Sequence, residues 1–204
     1  MFKKLLVKEK NMFEIKKFNI PKLKGISEKT TEEHLKLYSG YVNNANLILE
    51  KTRAMRAESE PNAYAISEME RRFSFEYNGM RNHEIYFSLF EGGPKNIEET
   101  TTLKKKIAED FGSVENWLSE FKALAMKRGI GWAILYLDTK ENKLINSWVD
   151  EQHLGQLQGC KPIIALDMWE HSFVADYAPS GKKQYVEDFF ENLNADVAEE
   201  FLIK

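Results

Sequence analysis

Residues 161–171 have the sequence Lys-Pro-Ile-Ile-Ala-Leu-Asp-Met-Trp-Glu-His, in which an apolar run leads to an aspartate and a histidine. The run from Pro162 to Leu166 is typical of a buried strand, and it places Asp167 at the strand end. His171 follows four residues later, so in a helix the two side chains would lie on one face. A carboxylate and an imidazole at this spacing suit a first-row transition metal. The plainer interpretation is a solvated Asp–His pair, and the aromatic Trp169 between the two residues counts against it.

The composition is that of a soluble globular chain with one domain, or with two small lobes that share a core. The 204 residues are 43% hydrophobic and 30% charged, and the net charge is −3. This charge gives no general attraction to nucleic acid or to an anionic membrane. No apolar run reaches the roughly 18 residues of a membrane span, and the start of the chain, at Met1 or at Met12, lacks a signal-peptide pattern. The single cysteine, Cys160, excludes an internal disulfide, so we expect a cytoplasmic protein.

Two helices predicted in the first half of the chain each carry one of only four histidines. The capping-box pattern of residues 30–33, Thr-Thr-Glu-Glu, predicts a helix over about 31–57, with His34 at the start of its apolar stripe. A second helix, predicted over about 62–89, carries His83 on its apolar face. An antiparallel pair of such helices could supply half of a metal site. A hydrogen-bonded core histidine is the plainer interpretation of His34.

The second half of the chain changes from helices to strands. Glu91-Gly-Gly-Pro94 breaks the hairpin, so we divide the chain into an N-terminal lobe of residues 1–92 and a C-terminal lobe of residues 93–204. His153 lies in a predicted loop of the second lobe. The patterns in this lobe predict two helices, three strands and a last helix, over about 101–111, 114–128, 132–137, 144–149, 162–167 and 182–201.

The motifs of the chain, taken in order, resemble those of the iron/manganese superoxide dismutase family over about residues 13–200. The most specific is Asp167-Met-Trp-Glu-His171. The others are Glu33-His34, Tyr41-Val-Asn-Asn44, Asn82-His83, Glu91-Gly-Gly-Pro94, Phe111-Gly-Ser113 and Gly129-Ile-Gly-Trp132. The resemblance implies an α+β fold, with an N-terminal helical hairpin followed by a C-terminal lobe in which helices surround a three-stranded antiparallel sheet.

The resemblance also implies one iron or manganese ion per chain, and the sequence does not distinguish the two metals. Carried over by motif, the ligands are His34, His83, Asp167 and His171. The spacing of the first helix leaves one alternative open. His34 and Tyr41 are seven residues apart, where the commoner family pattern has eight, so Glu33 could align with the ligand instead. We prefer His34, because imidazole is the family's ligand type at this position.

Residues around the predicted ligands match further family positions. Tyr41 matches the gateway tyrosine of the active site. His153 matches a histidine, or in other members a glutamine, that hydrogen-bonds to the metal's solvent ligand and tunes it; an exposed loop residue is the plainer interpretation. Glu170 matches a residue that reaches the ligand histidine of a partner chain, here His171, which predicts a homodimer or a tetramer. The chain departs from the family pattern at Phe173, Lys182, Lys183 and Ala195.

The function that the resemblance implies is superoxide dismutation. One superoxide reduces the metal and leaves as dioxygen, and a second oxidises it and leaves as hydrogen peroxide. An inactive, structural relative of these enzymes is one alternative, but it should have lost ligands, and all four are present. Another mononuclear non-haem iron protein, built on two histidines and a carboxylate, is the other alternative. Such a protein needs more open metal positions than a third histidine leaves.

Overall fold

The structure, a computed structural model, describes residues 13–204. The two predicted starts, Met1 and Met12, lie outside the described residues. Within the described part of the chain, no helix is both long and apolar enough to cross a membrane. The order of elements confirms the predicted α+β fold, because a helical hairpin comes first and a three-stranded antiparallel sheet with surrounding helices follows it.

Two long helices form the hairpin. Helix α1 spans Glu28–Arg56 and helix α2 spans Ala63–Ser88. The capping-box prediction placed the start of α1 too late. The side chain of Ser27 accepts the backbone N–H of Thr30 and caps the helix one turn earlier. The second helix begins where the sequence predicted, with Asn62 as its N-cap.

The buried faces of the hairpin place one histidine of each helix in the interior. On α1 the buried side chains recur every three or four residues, as the apolar stripe predicted; they include His34, Tyr38, Val42, Ala45 and Ile48. On α2 the corresponding positions are Met80, His83 and Phe87. Because both histidines belong to the packing face, neither imidazole can be solvated, and each needs a partner inside the protein.

The sheet places Asp167 in the interior of the protein. Strands β1 (Gly131–Asp138), β2 (Lys143–Asp150) and β3 (Cys160–Asp167) are antiparallel in the order β2-β1-β3. The central strand β1 is buried over nearly its whole length, which explains its uninterrupted apolar sequence. Strand β3 lies at an edge, where Pro162 is tolerated beside a bulge. Asp167 pairs with Trp132 at the end of β3.

The two helices that lie between the hairpin and the sheet in the chain are shorter than predicted. Helix α3 spans Thr102–Phe111 and helix α4 spans Val114–Ala125. Gly112 separates them with a φ of 84°, a conformation that favours glycine. The Ser113 side chain then caps α4 by accepting the N–H of Asn116. The break between the two helices at residues 112–113, predicted from the sequence, is confirmed.

The prediction of one last helix over 182–201 is wrong. After a short helix α5 (Val174–Tyr177), two separate helices occupy this region, namely α6 (Lys182–Asn192) and α7 (Ala195–Ile203). The break falls at Leu193, which is extended, and at Asn194, whose side chain caps α7. The extended backbone here hydrogen-bonds to the segment after α2, because Asn194 donates to the Leu89 carbonyl.

Candidate metal centre

Four side chains from four different elements converge at one point inside the protein. His34 comes from α1, His83 from α2, Asp167 from the end of β3, and His171 from the turn after it. One nitrogen or oxygen of each lies within 4.8 Å of all the others. The carboxylate is at the centre: its Oδ2 lies 3.1 Å from His34 Nε2, 3.2 Å from His171 Nε2 and 3.5 Å from His83 Nε2. Among residues 13–204, no second group of this kind is found.

The turn after β3 differs from the predicted helix and still brings the motif together. Trp169 is extended, and a single turn of 3₁₀-helix follows over Glu170–Ser172. Asp167 Oδ1 accepts the Trp169 N–H at 2.8 Å, which orients the carboxylate and leaves Oδ2 facing the histidines. The main-chain carbonyl of Asp167 accepts the Tyr185 hydroxyl at 2.8 Å. The aspartate is therefore held at both its backbone and its side chain.

Electrostatics favour neutral imidazoles at His34 and His83 and an ionised carboxylate at Asp167, which are the protonation states that metal binding requires of these three groups. Burial lowers the pKa of His83 to about 3 and also lowers that of His34. Burial alone would raise the pKa of Asp167, but the charge of His171 and hydrogen bonds from His171 and His34 bring it below its ordinary value. The side chains of His34, His83 and Asp167 are at most 2% exposed, and that of His171 is 22% exposed. His171 is thus the member of the group that solvent can reach.

His83 shows that the group fits a metal ion. Its Nδ1 donates to the Gly79 carbonyl, 2.6 Å away, which fixes the tautomer and leaves the lone pair on Nε2. That Nε2 is buried and makes no hydrogen bond to any residue in 13–204. A buried acceptor without a partner is costly in a folded protein, and a metal ion bound at this point would satisfy it. The donor set of three imidazoles and one carboxylate suits iron or manganese.

The structure distinguishes the two possible registers of the first helix. Glu33 lies on the outside of α1, where its side chain is 60% exposed and binds Lys36 at 2.7 Å. His34 lies on the inside, against the rings of His83 and Phe87 at centroid distances of 4.9 Å. The geometry therefore favours His34 over Glu33 as the ligand.

Tyr41 lies beside the group, and its neighbours fix its orientation. Its ring packs 5.0 Å from the ring of His83. It also lies so close to Gly79 that a Cβ there would come within 2.6 Å of it. Any larger residue at position 79 would therefore displace Tyr41. The hydroxyl of Tyr41 accepts a hydrogen bond from Gln152 Nε2 at 2.9 Å. Burial raises the pKa of Tyr41 above the ordinary phenol value.

Gln152, a residue that the sequence analysis missed, lies against Tyr41 on the same turn that carries His153. Gln152 is fully buried, and its Oε1 accepts the indole N–H of Trp132 at 2.9 Å. Its own backbone carbonyl accepts Asn82 Nδ2 at 3.1 Å. The signal was present in the sequence, because the family carries either glutamine or histidine at this site and the two residues are adjacent here.

His153 follows Gln152 on the same turn and packs against Phe75. Its ring is 5.7 Å from that of Phe75, edge to face, and its Nδ1 has no hydrogen-bond partner among residues 13–204. The cause is the tight turn after β2, in which Glu151 adopts a φ of 51°. Asp150 and Leu154 close the turn by exchanging backbone hydrogen bonds. This closure directs Gln152 inward, where its amide donates to Tyr41, and leaves the ring of His153 against Phe75.

A cavity of about 440 Å³, here named the funnel, lies over the exposed edge of His171. Tyr41, Phe75, Trp169 and His171 form its aromatic wall, and Lys36 and Arg72 are its cationic residues. Lys182, one of the residues at which the chain departs from the family pattern, is not part of this wall. Its ammonium donates to the Lys127 carbonyl at 2.7 Å. The departure at Phe173 concerns packing, because this ring stacks on Tyr185 at 5.2 Å.

Comparison with known proteins places the chain in one family. The model of the iron/manganese superoxide dismutase alpha-hairpin domain matches residues 21–91, and that of the C-terminal domain matches residues 99–201. The chain is 37% identical over 183 residues to Superoxide dismutase [Fe] of Aquifex pyrophilus, covering 87% of this chain and 84% of the relative. It is 38% identical over 174 residues to Superoxide dismutase [Mn] 2 of Haloferax volcanii, covering 84% of each. The chain belongs to the iron/manganese superoxide dismutase family.

Proposed function

We propose that this protein disproportionates superoxide to dioxygen and hydrogen peroxide at one iron or manganese ion held by four side chains. The proposed ligands are His34, His83, Asp167 and His171. The observation that carries the assignment is the convergence of three imidazole nitrogens on Asp167 Oδ2, with His83 Nε2 buried and otherwise unsatisfied. Names of the relatives include both metals, so iron and manganese both remain candidates.

The bound metal supplies the one-electron oxidation and reduction that the two halves of the reaction require. The protein holds the ligand atoms in place before the ion binds. Asp167 is fixed at Oδ1 and at its carbonyl, and His83 is fixed through Gly79. Hydrogen-bonded partners of this kind orient the ligands and set their basicity. Aromatic rings exclude bulk water, and of the four proposed ligands only His171 lines the funnel.

Tyr41 is positioned to hold and deliver a proton. Trp132 Nε1 can only donate, so it must face the carbonyl oxygen of the Gln152 side chain, and the amide nitrogen is then left to face Tyr41. Tyr41 therefore accepts from Gln152, and its own O–H points elsewhere. The raised pKa of Tyr41 keeps this proton in place at neutral pH. Reduction of superoxide to hydrogen peroxide consumes two protons, and we infer that Tyr41 relays one of them by taking up a proton from solvent in the funnel as it gives its own, so that no free phenolate forms.

The two alternatives raised by the sequence gain no support from the site. A structural relative without catalysis would be expected to have lost a ligand, and the four side chains are all present and face one another. A two-histidine, one-carboxylate iron protein needs several open coordination positions. Here three imidazole nitrogens, not two, lie 3.1–3.5 Å from the carboxylate oxygen of Asp167.

Superoxide decay measured by pulse radiolysis tests the proposal. The purified protein loaded with iron or with manganese should accelerate the decay far above the rate in buffer, and the metal-free protein should not. The stoichiometry should be one dioxygen and one hydrogen peroxide for two superoxide ions. Full metal loading with both ions and a decay rate equal to that of buffer would refute the proposed activity.

Replacement of Gln152 should slow turnover while metal stays bound. Gln152→Leu keeps the volume of the side chain but removes the hydrogen bond to Tyr41. Loss of an outer hydrogen-bonding residue of a metal site costs roughly 10–100-fold in activity or metal affinity. We therefore expect a fall of about tenfold or more in kcat. His153→Ala is the matched control on the same turn and should change kcat less than about twofold. A larger fall in kcat for His153→Ala than for Gln152→Leu would favour His153, as predicted from the sequence, as the residue that tunes the metal centre.

We infer that the protein forms a homodimer, with a tetramer as the alternative, and that it is cytoplasmic. Glu170 is exposed and adjoins His171, whose ring also reaches the surface, and this exposure supports a contact between the carboxylate and the histidine of a second copy. Glu170→Ala should raise the dimer dissociation constant by about tenfold or more, measured by sedimentation equilibrium. Asp196→Ala, an exposed acidic change at the start of α7, is the control. Unchanged self-association in Glu170→Ala would contradict this contact.

A further inference from the structure

Two ion pairs stand at the funnel, and they differ in burial. Glu33 and Lys36 lie 2.7 Å apart with side chains 60% and 69% exposed, so water screens this pair. Glu76 and Arg72 lie 2.9 Å apart on α2, one turn from each other, and the Glu76 side chain is only 6% exposed. The four charges sum to zero. The electrostatic potential of the buried Glu76 carboxylate is screened less than that of the exposed charges, because little water surrounds it.

Glu76 is a carboxylate on the path of an anion. It lines the funnel together with Tyr41, and its other polar contact is Asn44 Nδ2 at 3.4 Å. The amide is neutral, so it leaves the charge of Glu76 in place. An uncompensated negative charge at this depth would repel a small anion such as superoxide from the metal centre. The site therefore needs a cation here.

Arg72 is that cation, and its position is fixed by two contacts. Its Nε donates to Glu76 Oε1, and its guanidinium carbon lies 3.6 Å above the centroid of the Phe75 ring. Phe75 is buried, so one face of the guanidinium packs on an apolar ring, and Arg72 also lines the funnel. A cation stacked on an aromatic face keeps its charge and loses mobility.

The other cations near the site do not replace it. Lys36 is committed to Glu33 on the outside of α1. Lys182 donates to a backbone carbonyl and does not line the funnel. We propose that Arg72, by cancelling the buried charge of Glu76 over Phe75, is the residue that admits the anionic substrate to the funnel of this protein. The inference rests on the proposed dismutase function and adds a guiding residue to it.

Charge substitutions measured at low ionic strength test the inference. Arg72→Gln should lower kcat/KM about three- to tenfold at about 10 mM salt, where charges act over roughly 30 Å. The loss should shrink at about 0.2 M salt. Glu76→Gln removes the charge but keeps the side-chain shape and one acceptor oxygen for Arg72, and it should raise kcat/KM. The double variant restores the original net charge and should return to within about twofold of the wild type. Arg72→Lys should keep most of the rate.

The neighbouring pair supplies a matched control. Arg71 binds Glu68 at 2.9 Å on the same helix with both side chains well exposed, and neither lines the funnel. Arg71→Gln should leave kcat/KM and its salt dependence unchanged. Azide, a small monovalent anion, gives a second readout, because its equilibrium binding to the loaded protein, followed by absorbance, should weaken in Arg72→Gln by a similar factor. Metal content and thermal unfolding should match the wild type.

Each outcome separates this inference from the dismutase function itself. If the loaded wild type does not accelerate superoxide decay, the proposed function fails and azide binding alone decides the role of Arg72. If the wild type is active and Arg72→Gln matches it at low salt in both kcat/KM and azide binding, the inference is overturned. It is also overturned if the rate falls but the double variant stays as slow as Arg72→Gln, since the effect would then come from structure and not from charge.

Discussion

Asp167→Asn should leave the protein folded but nearly free of metal, with bound iron or manganese falling from about one ion per chain to a few per cent of that value. Asp167 is the only anionic member of the group, and its Oδ2 faces all three imidazoles. The amide is of similar size but lacks the charge. Loss of a ligand should cost more than the roughly 10–100-fold that follows loss of an outer partner.

Metal content is measured on protein reloaded with either metal and then dialysed. Thermal unfolding gives a second reading, because metal that binds only the folded state stabilises it by mass action. Addition of metal should raise the Tm of the wild type and leave that of Asp167→Asn unchanged. Asp188→Asn is the control, since Asp188 is also buried but lies on α6 and accepts from the Tyr177 hydroxyl. Full metal occupancy in Asp167→Asn would remove Asp167 from the ligand set.

His34→Leu should lose metal to a similar extent, and Glu33→Ala should keep it. Leucine fills most of the space of the imidazole among His83, Tyr86 and Phe87, so the fold should survive while the nitrogen is lost. Glu33 points to solvent and pairs with Lys36. An exposed pair of this kind contributes only about 0–1 kcal/mol to stability. Its loss should therefore change neither the stability nor the metal content by much.

Metal analysis and circular dichroism of both variants check this contrast. His34→Leu should show a native far-ultraviolet spectrum with little bound metal, and Glu33→Ala should match the wild type in both. The opposite result, with metal lost in Glu33→Ala and retained in His34→Leu, would mean that the first helix is one residue out of register in the structure.

The fold and the positions of the four clustered side chains were predictable because strong local patterns encode them. The apolar stripe that contains His34, Tyr38 and Val42 is a helical period, and packing turns such a face inward. The apolar run before Asp167 is a strand, and a strand end fixes where its last side chain lies. His34 and Asp167 are more than a hundred residues apart in the sequence, so local patterns could not predict that they meet. That prediction required the family resemblance.

The features that sequence analysis missed depend on tertiary contacts. Leu193 and Asn194 interrupt the last helix because their backbone pairs with the segment after α2, and apolar periodicity continues across the break. Gln152 and His153 are adjacent, and only the left-handed conformation of Glu151 decides which one faces Tyr41. The buried charge of Glu76 and the placement of Arg72 over Phe75 likewise follow from packing of α2 against the rest of the site.

Anomalous diffraction from a crystal of the metal-loaded protein, recorded at the iron and manganese absorption edges, tests the proposed centre most directly. We expect one strong peak per chain, bonded to the Nε2 atoms of His34, His83 and His171 and to Oδ2 of Asp167. Gln152 should still donate to Tyr41 beside the peak. A peak whose ligands do not include these four atoms, or a fully loaded crystal with its metal elsewhere on the chain, would contradict the proposed site.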